Sequence, residues 1–229
     1  MNKARYYFGW FKGIVPNKII ESLKEDLTTT HSLAIITTAP SDATYTDNML
    51  AFTKDTWFEP AGLVFDAYHS IDHRVSKEEA HRLIEGASAI LLHGGYPTQL
   101  QDFLIEYDLA TAIDNSQATV IMGASAGGMN MCAKFPYGKY IDDQTREPAV
   151  IYKGLGYDNF ALQSHAIGEL ESIMKQNHVQ QYLLPLSDEL DTYIACEEST
   201  LRVRNAQMDI MGQVYRLSKR HASQMAETI

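Results

Sequence analysis

Three short apolar runs constrain the fold more than any other feature: "SLAIITT" at 32–38, "ASAILL" at 87–92 and "ATVIM" at 118–122. None alternates strictly between apolar and polar residues. Runs of this kind mark strands covered on both faces, the environment of a parallel sheet with helices above and below. The stretches between them carry a helical rhythm. Asn17 is placed to cap a helix with Ile19, Ile20, Leu23 and Leu27 on one face. Ser76 and Glu79 make a capping box ahead of Ala80, Leu83 and Ile84. Pro97 suits a first helical turn, and Leu100, Phe103, Leu104 and Tyr107 recur on one helical face. "KARYYFGW" (3–10) reads as a first strand, and "AGLVFDAY" (61–68) as a weaker one.

After about residue 150 the pattern changes. Leu170, Ile173 and Met174 predict a helix around 168–177. Short β runs follow in "DTYIACEE", "TLRVRN", "QMDIMG" and "QVYRLS", broken at Asn205 and Gly212. They read as hairpins added at one end of the sheet. The expectation is a single α/β domain over 1–229, with a mainly parallel doubly wound sheet and a C-terminal antiparallel extension.

Bulk properties narrow the partners. A chain of 229 residues is long enough for a proper core. The net charge of −10 and the pI near 5.2 argue against nucleic acid or an anionic membrane as the partner. No apolar run reaches the roughly 18–20 residues that span a bilayer. "MNKARYYFGWFKG" breaks at Gly9 and Gly13, without the apolar core of a signal peptide. Cys132 and Cys196 make neither a disulfide framework nor a four-ligand metal site, so a reducing, cytoplasmic setting is expected. No metal or other cofactor is expected. The oligomeric state is not fixed, and a homodimer is compatible with the sequence.

Chemistry concentrates at two turns. Gly123-Ala124-Ser125-Ala126-Gly127 fits G-x-S-x-G between a predicted strand and a predicted helix, the context of a nucleophile elbow. Such a turn strains the serine backbone and leaves room only for small flanking residues. The plain alternative is a small-residue turn that merely packs tightly. The helix start offers free N–H groups to an oxyanion, Ala126 first. One βα unit earlier, "LLHGGYPTQL" (91–100) also ends a strand, where ligands of open α/β sheets bind. Gly94 and Gly95 would let backbone approach a substrate there, or would simply make a turn.

A serine needs a base. Of eight histidines, His31, His69, His73 and His81 read as surface, His178 as a helix end and His221 as part of a polar tail. His93 lies beside the glycine turn. His165, in "FALQSHAIGE", follows an alternating run and precedes a helix. Glu197 and Glu198 follow "TYIAC", and strand alternation would turn only one of them to the histidine. The residues alone do not say which.

Taken together, "HGGYPTQL", "GASAGG", "QSHAIGE" and "CEESTLRV" resemble the dipeptidase E / cyanophycinase-type serine peptidases, which have a class I glutamine amidotransferase-like fold. The similarity runs from about residue 33 to 217. It implies a serine hydrolase acting on a short peptide, with Ser125 as nucleophile and His165 as base. Glu198 is implied as the acid, because it precedes Ser199-Thr200 as the family's acid precedes Gly-[ST]. Gly95 and Ala126 are implied as oxyanion donors, and Gly94, Tyr96 and Gln99 as substrate contacts. Aspartyl dipeptidases carry an arginine in the helix after the histidine to hold a carboxylate. Here "IGELESIMKQN" has none, so aspartyl specificity is not implied.

Two other readings stay open. An α/β-hydrolase esterase also pairs H-G-G with G-x-S-A-G-G, but would need Asp188 or Asp191 followed by His221. A non-catalytic member binding a ligand at the same place would not react at Ser125.

Overall fold

The computed structural model describes residues 3–138 and 149–228. The first half of the chain alternates strand and helix: β1 (Ala4–Phe8), α1 (Asn17–Asp26), β2 (Leu33–Ile36), α2 (Ala43–Phe52), β3 (Tyr68–Ile71), α3 (Lys77–Glu85), β4 (Ala89–Leu92), α4 (Pro97–Glu106), α5 (Leu109–Asn115), β5 (Val120–Ala124) and α6 (Ala126–Met131). The second half is mostly β: β6 (Lys134–Tyr137), β7 (Val150–Lys153), β8 (Ala161–Ala166), α7 (Leu170–Met174), α8 (Leu184–Leu186), β9 (Thr192–Cys196), β10 (Thr200–Arg204), β11 (Gln207–Met211), β12 (Val214–Ser218) and β13 (His221–Gln224).

The three apolar runs become β2, β4 and β5 of a seven-stranded sheet ordered β11-β10-β1-β5-β4-β2-β3. The five strands from β1 to β3 are parallel. Both faces are covered, which is why these strands are continuously apolar. On β4, Ile90 and Leu92 enter one core with Tyr7, Ile36 and Ile121. Ala89 and Leu91 enter the other with Phe8, Ile35 and Met122. The Ser76 hydroxyl accepts from Glu79 N at 3.2 Å, and Pro97 opens α4. Among the described residues, no helix is long and apolar enough to cross a membrane.

Several elements differ from the sequence expectation. Asn17 is the first residue of α1 and its side chain caps nothing; Pro16 precedes it. The strand expected over 61–68 starts only at Tyr68. Its apolar Leu63 and Phe65 are buried from irregular chain after Gly62, whose φ of 73° ends a helical segment running from α2 through a π-helical turn, Thr53–Phe58. Buried apolar side chains thus mimicked a strand where no pairing exists.

The β-rich tail divides between two sheets. β10 and β11 extend the seven-stranded sheet antiparallel beside β1. Arg202 anchors that edge, its guanidinium bonded to the buried Asp26 of α1 at 2.7 Å and 2.8 Å. β13, β12, β9 and β8 form a separate four-stranded sheet, over a core of Ile173, Val179, Leu183, Ile194 and Leu217. β6 and β7 pair on their own. The turn from β9 to β10, which carries Glu197 and Glu198, therefore links the two larger sheets.

Candidate active site

The chain reverses from β5 into α6 across a single residue. Ser125 holds φ 50° and ψ −111°, outside the ordinary regions for a residue with a Cβ. The surroundings hold it there. Its N–H donates to Phe8 O at 3.2 Å, and its carbonyl accepts from Met129 N at 2.9 Å. Ala124 and Ala126 are fully buried on either side. A Cβ on Gly127 would lie 1.9 Å from Leu92 O, so α6 can start against β4 only with glycine here. Ala126 N stands in the first turn of α6, ahead of any intrahelical acceptor.

The second turn leaves β4 and runs beside the first, since Leu92 pairs with Gly123. His93 lies fully buried behind it, and burial pushes its pKa down to about 4, so the ring is neutral. Its Nδ1 accepts from Gly94 N at 2.8 Å, which leaves Nε2–H to donate to Thr53 Oγ1 at 3.1 Å. Gly94 is buried, and its carbonyl accepts from Thr38 Oγ1 at 2.8 Å and Tyr45 OH at 2.9 Å. Gly95 has φ 133°, and a Cβ there would strike Thr38 Oγ1 at 2.1 Å.

His165 comes from the other sheet. The β8–β9 register breaks between Gln163 and Ala166, and within that break His165 adopts φ 61°. Irregularities of this kind re-aim a side chain. The imidazole Nε2 lies 2.7 Å from Ser125 Oγ. Trp10 packs on the ring with centroids 5.4 Å apart. His165 keeps an exposed edge, yet desolvation on the packed side lowers its pKa; the Glu197 charge pulls it back up and the Lys12 charge pushes it down.

The two glutamates occupy different places. Glu197 is the carboxylate whose charge acts on His165, and it pairs with Lys12 Nζ at 2.7 Å. Glu198 is exposed, with φ 59°, and its N–H donates to Trp10 O at 2.7 Å. Ser199 is buried and its hydroxyl closes the turn onto Cys196 O at 2.7 Å. Among the described residues no hydrogen bond joins His165 to either glutamate.

A cavity of about 220 Å³ opens beside Ser125, walled by Gly95, Pro97, Met129, Gln163, His178 and Tyr182 among others. Its described lining contains no Asp, Glu, Lys or Arg. Tyr96 is half exposed and outside this lining. Gln99 lines a different cavity, with Asp42, His73, Asp102 and Glu106. Gly94 stands behind the turn rather than in the cavity. So Ser125, Gly95 and His165 come together, while Tyr96 and Gln99 stand apart from the cavity.

His221 is exposed at the start of β13. Among the described residues no group of three or more His, Cys, Asp or Glu could hold a metal. Sequence reasoning did not single out Trp10, Lys12, Thr38, Tyr45 or Tyr182. Thr38 carried a signal, as a hydroxyl at the end of a buried strand. Tyr45 carried none, because α2 has no clear apolar face.

Residues 16–211 match the sequence model of Peptidase family S51. No curated protein matches the chain. A solved peptidase from an acI-B1 Actinobacterium superposes with a TM-score of 0.67 at 19% identity, over 99% of this chain and 95% of that one. A putative peptidase E protein from Listeria monocytogenes EGD-e does so with a TM-score of 0.61 at 16% identity, over 92% and 98%. At these identities the likeness speaks for the fold.

Proposed function

The chain belongs to peptidase family S51 and is a serine peptidase, and from that premise we propose that it cleaves a peptide bond in a short peptide through Ser125, His165 and Glu197. The observation that carries this reading is the 2.7 Å contact between Ser125 Oγ and His165 Nε2 at a strained turn. As Oγ attacks the scissile carbonyl carbon, Nε2 takes its proton. The carbonyl oxygen becomes an oxyanion facing the N–H groups of Gly95 and Ala126. The imidazolium then gives its proton to the leaving amine, and an acyl-enzyme remains. Water attacks that ester with His165 again as base, and the proton returns to Ser125.

Glu197 takes the role of stabilising the imidazolium, one residue before the position that the resemblance first suggests. Two observations support this. Of the two glutamates, it is the one whose charge acts on His165. In an E-G-[ST] segment the glycine follows the acid, and the residue here with a glycine-like φ is Glu198. Glu197-Glu198-Ser199 then fits the segment, with Glu198 in the glycine place.

The cavity beside Ser125 supports preference for an uncharged side chain. A carboxylate buried among its described walls would lose water and meet no Lys or Arg there. Cys132 and Cys196 are both buried and unpaired, in keeping with a reducing, cytoplasmic setting. The test has two parts. A fluorophosphonate should label wild type and not Ser125→Ala; equal labelling overturns the catalytic reading and leaves a ligand-binding protein. A dipeptide and tripeptide panel should favour apolar or neutral polar side chains, and a strong preference for N-terminal aspartate overturns the specificity.

A further inference from the structure

The Gly94–Gly95 peptide carries more support than a turn requires. Its carbonyl accepts two side-chain hydroxyls, Thr38 Oγ1 at 2.8 Å and Tyr45 OH at 2.9 Å. Both come from the βα unit of β2 and α2, which contributes nothing to the cavity's described lining. A trans peptide points its N–H opposite to its C=O, and no cis bond occurs among the described residues. With the carbonyl drawn toward Thr38 and Tyr45, the Gly95 N–H is aimed the other way, on a residue that shares the cavity wall with Ser125. No hydrogen-bond acceptor among the described residues takes that N–H.

The need for such support is physical. A peptide flanked by two glycines has no Cβ on either side to oppose rotation. Rotated by half a turn, it would present the Gly94 carbonyl oxygen to the site, where it would repel an oxyanion. We propose that Thr38 and Tyr45 are positioning residues, holding the Gly94 carbonyl so that the Gly95 N–H meets the oxyanion of the tetrahedral intermediate. This rests on the serine-peptidase reading above and adds two residues to it. Neither hydroxyl needs to touch substrate. Both side chains also pack directly on Gly95, since a Cβ there would meet Thr38 Oγ1 at 2.1 Å and Tyr45 OH at 2.4 Å. The clamp thus grips the peptide and fills the space behind its Cα.

The test uses Tyr45→Phe, Thr38→Val and the double variant, with Thr38→Ser as the conservative control. Each single change removes one neutral hydrogen bond and should lower kcat about 2- to 10-fold, with KM little changed. The double variant should lose about 10²-fold in kcat, the scale of a missing oxyanion donor. A peptide aldehyde captured by Ser125 places its hemiacetal oxygen where the oxyanion forms. Its affinity should fall in parallel with kcat, while the affinity of a non-covalent peptide product stays within about twofold. Thr38→Ser should retain nearly full activity. The clamp is overturned if the double variant keeps wild-type kcat and aldehyde affinity. It is equally overturned if aldehyde and product affinity fall together with the melting temperature, which is what a merely structural role would give. Failure of the underlying reading looks different and removes both ideas: wild type itself would show no Ser125-dependent aldehyde capture.

Discussion

Ser125 and Gly95 stand on the seven-stranded sheet, whereas His165 stands on the four-stranded sheet and Glu197 at the junction between them. The two sides are built differently. On the first, β4 and β5 stay in regular parallel register, and all irregularity is confined to two turns where added atoms would collide with backbone or side chain. On the second, the irregularity lies in the strand itself, through the β8–β9 register break and the positive φ of His165. Glu198 shows positive φ as well, in the turn between β9 and β10. Positive φ on a non-glycine residue costs energy and persists only where neighbours over-determine it. Tight packing fixes one side, and a few polar contacts fix the other. The first should respond to added volume, and the second to changed charge.

The largest effect that divides the two sides is at the acid. Glu197→Gln should lower kcat about 10²- to 10⁴-fold, the range expected when an imidazole loses the carboxylate that stabilises its cation. Glu198→Gly should keep most activity, because φ 59° suits glycine and the bond from that residue to Trp10 O is made by backbone. Steady-state kinetics on one peptide substrate decide between them. If Glu198→Gly is the crippled variant and Glu197→Gln is not, the acid is Glu198.

A smaller effect separates the two glycine turns within the first side. Gly95→Ala would press a methyl group against Thr38 and Tyr45 at a φ that alanine avoids. The turn must shift, and kcat should fall about 10²- to 10³-fold. Gly127→Ala instead puts its Cβ against Leu92 O at 1.9 Å, between β4 and α6. There the cost falls on the fold, about 1–3 kcal/mol or more, seen as a lower melting temperature. Measuring both quantities on both variants breaks the distinction if Gly95→Ala loses mainly stability.

The same contrast explains what the sequence made legible. β2, β4 and β5 could be read because a strand buried on both faces must be apolar at every position. The tight strand-to-helix turn at Ser125 could be read because small residues at Gly123, Ala124, Ala126 and Gly127 are a steric demand written directly into composition. The second side carries no such mark. Nothing in "QSHAIGE" announces a register break at His165, and positive φ at Glu198 hides in a residue type that rarely adopts it. The match of "CEESTLRV" to the family segment therefore put Glu198 in the acid's place, and the backbone angle at Glu198 brings Glu197 forward as the proposed acid. Tyr45 was invisible for another reason: its contact with Gly94 spans 49 positions of sequence, and α2 buries too few apolar residues to show a period.

The finest test of the second side is electrostatic. As the proposed base, His165 can take a proton only when neutral, so kcat/KM should rise as pH climbs through its pKa. Desolvation places that limb below the ordinary histidine range. Two charges then act on it in opposite senses. The Lys12 cation disfavours the imidazolium, so Lys12→Met should move the limb to higher pH. That variant also frees Glu197 from its 2.7 Å ion pair, which pushes the limb the same way. Glu197→Gln removes the charge that favours the imidazolium, so its residual activity should show a limb at lower pH. Lys12 is exposed, and added salt should shrink its effect more than that of the better-covered Glu197. Profiles of kcat/KM against pH at fixed low ionic strength read both shifts. Limbs that move together, or that stay in place in both variants, would show that Glu197 and Lys12 do not set the charge state of His165.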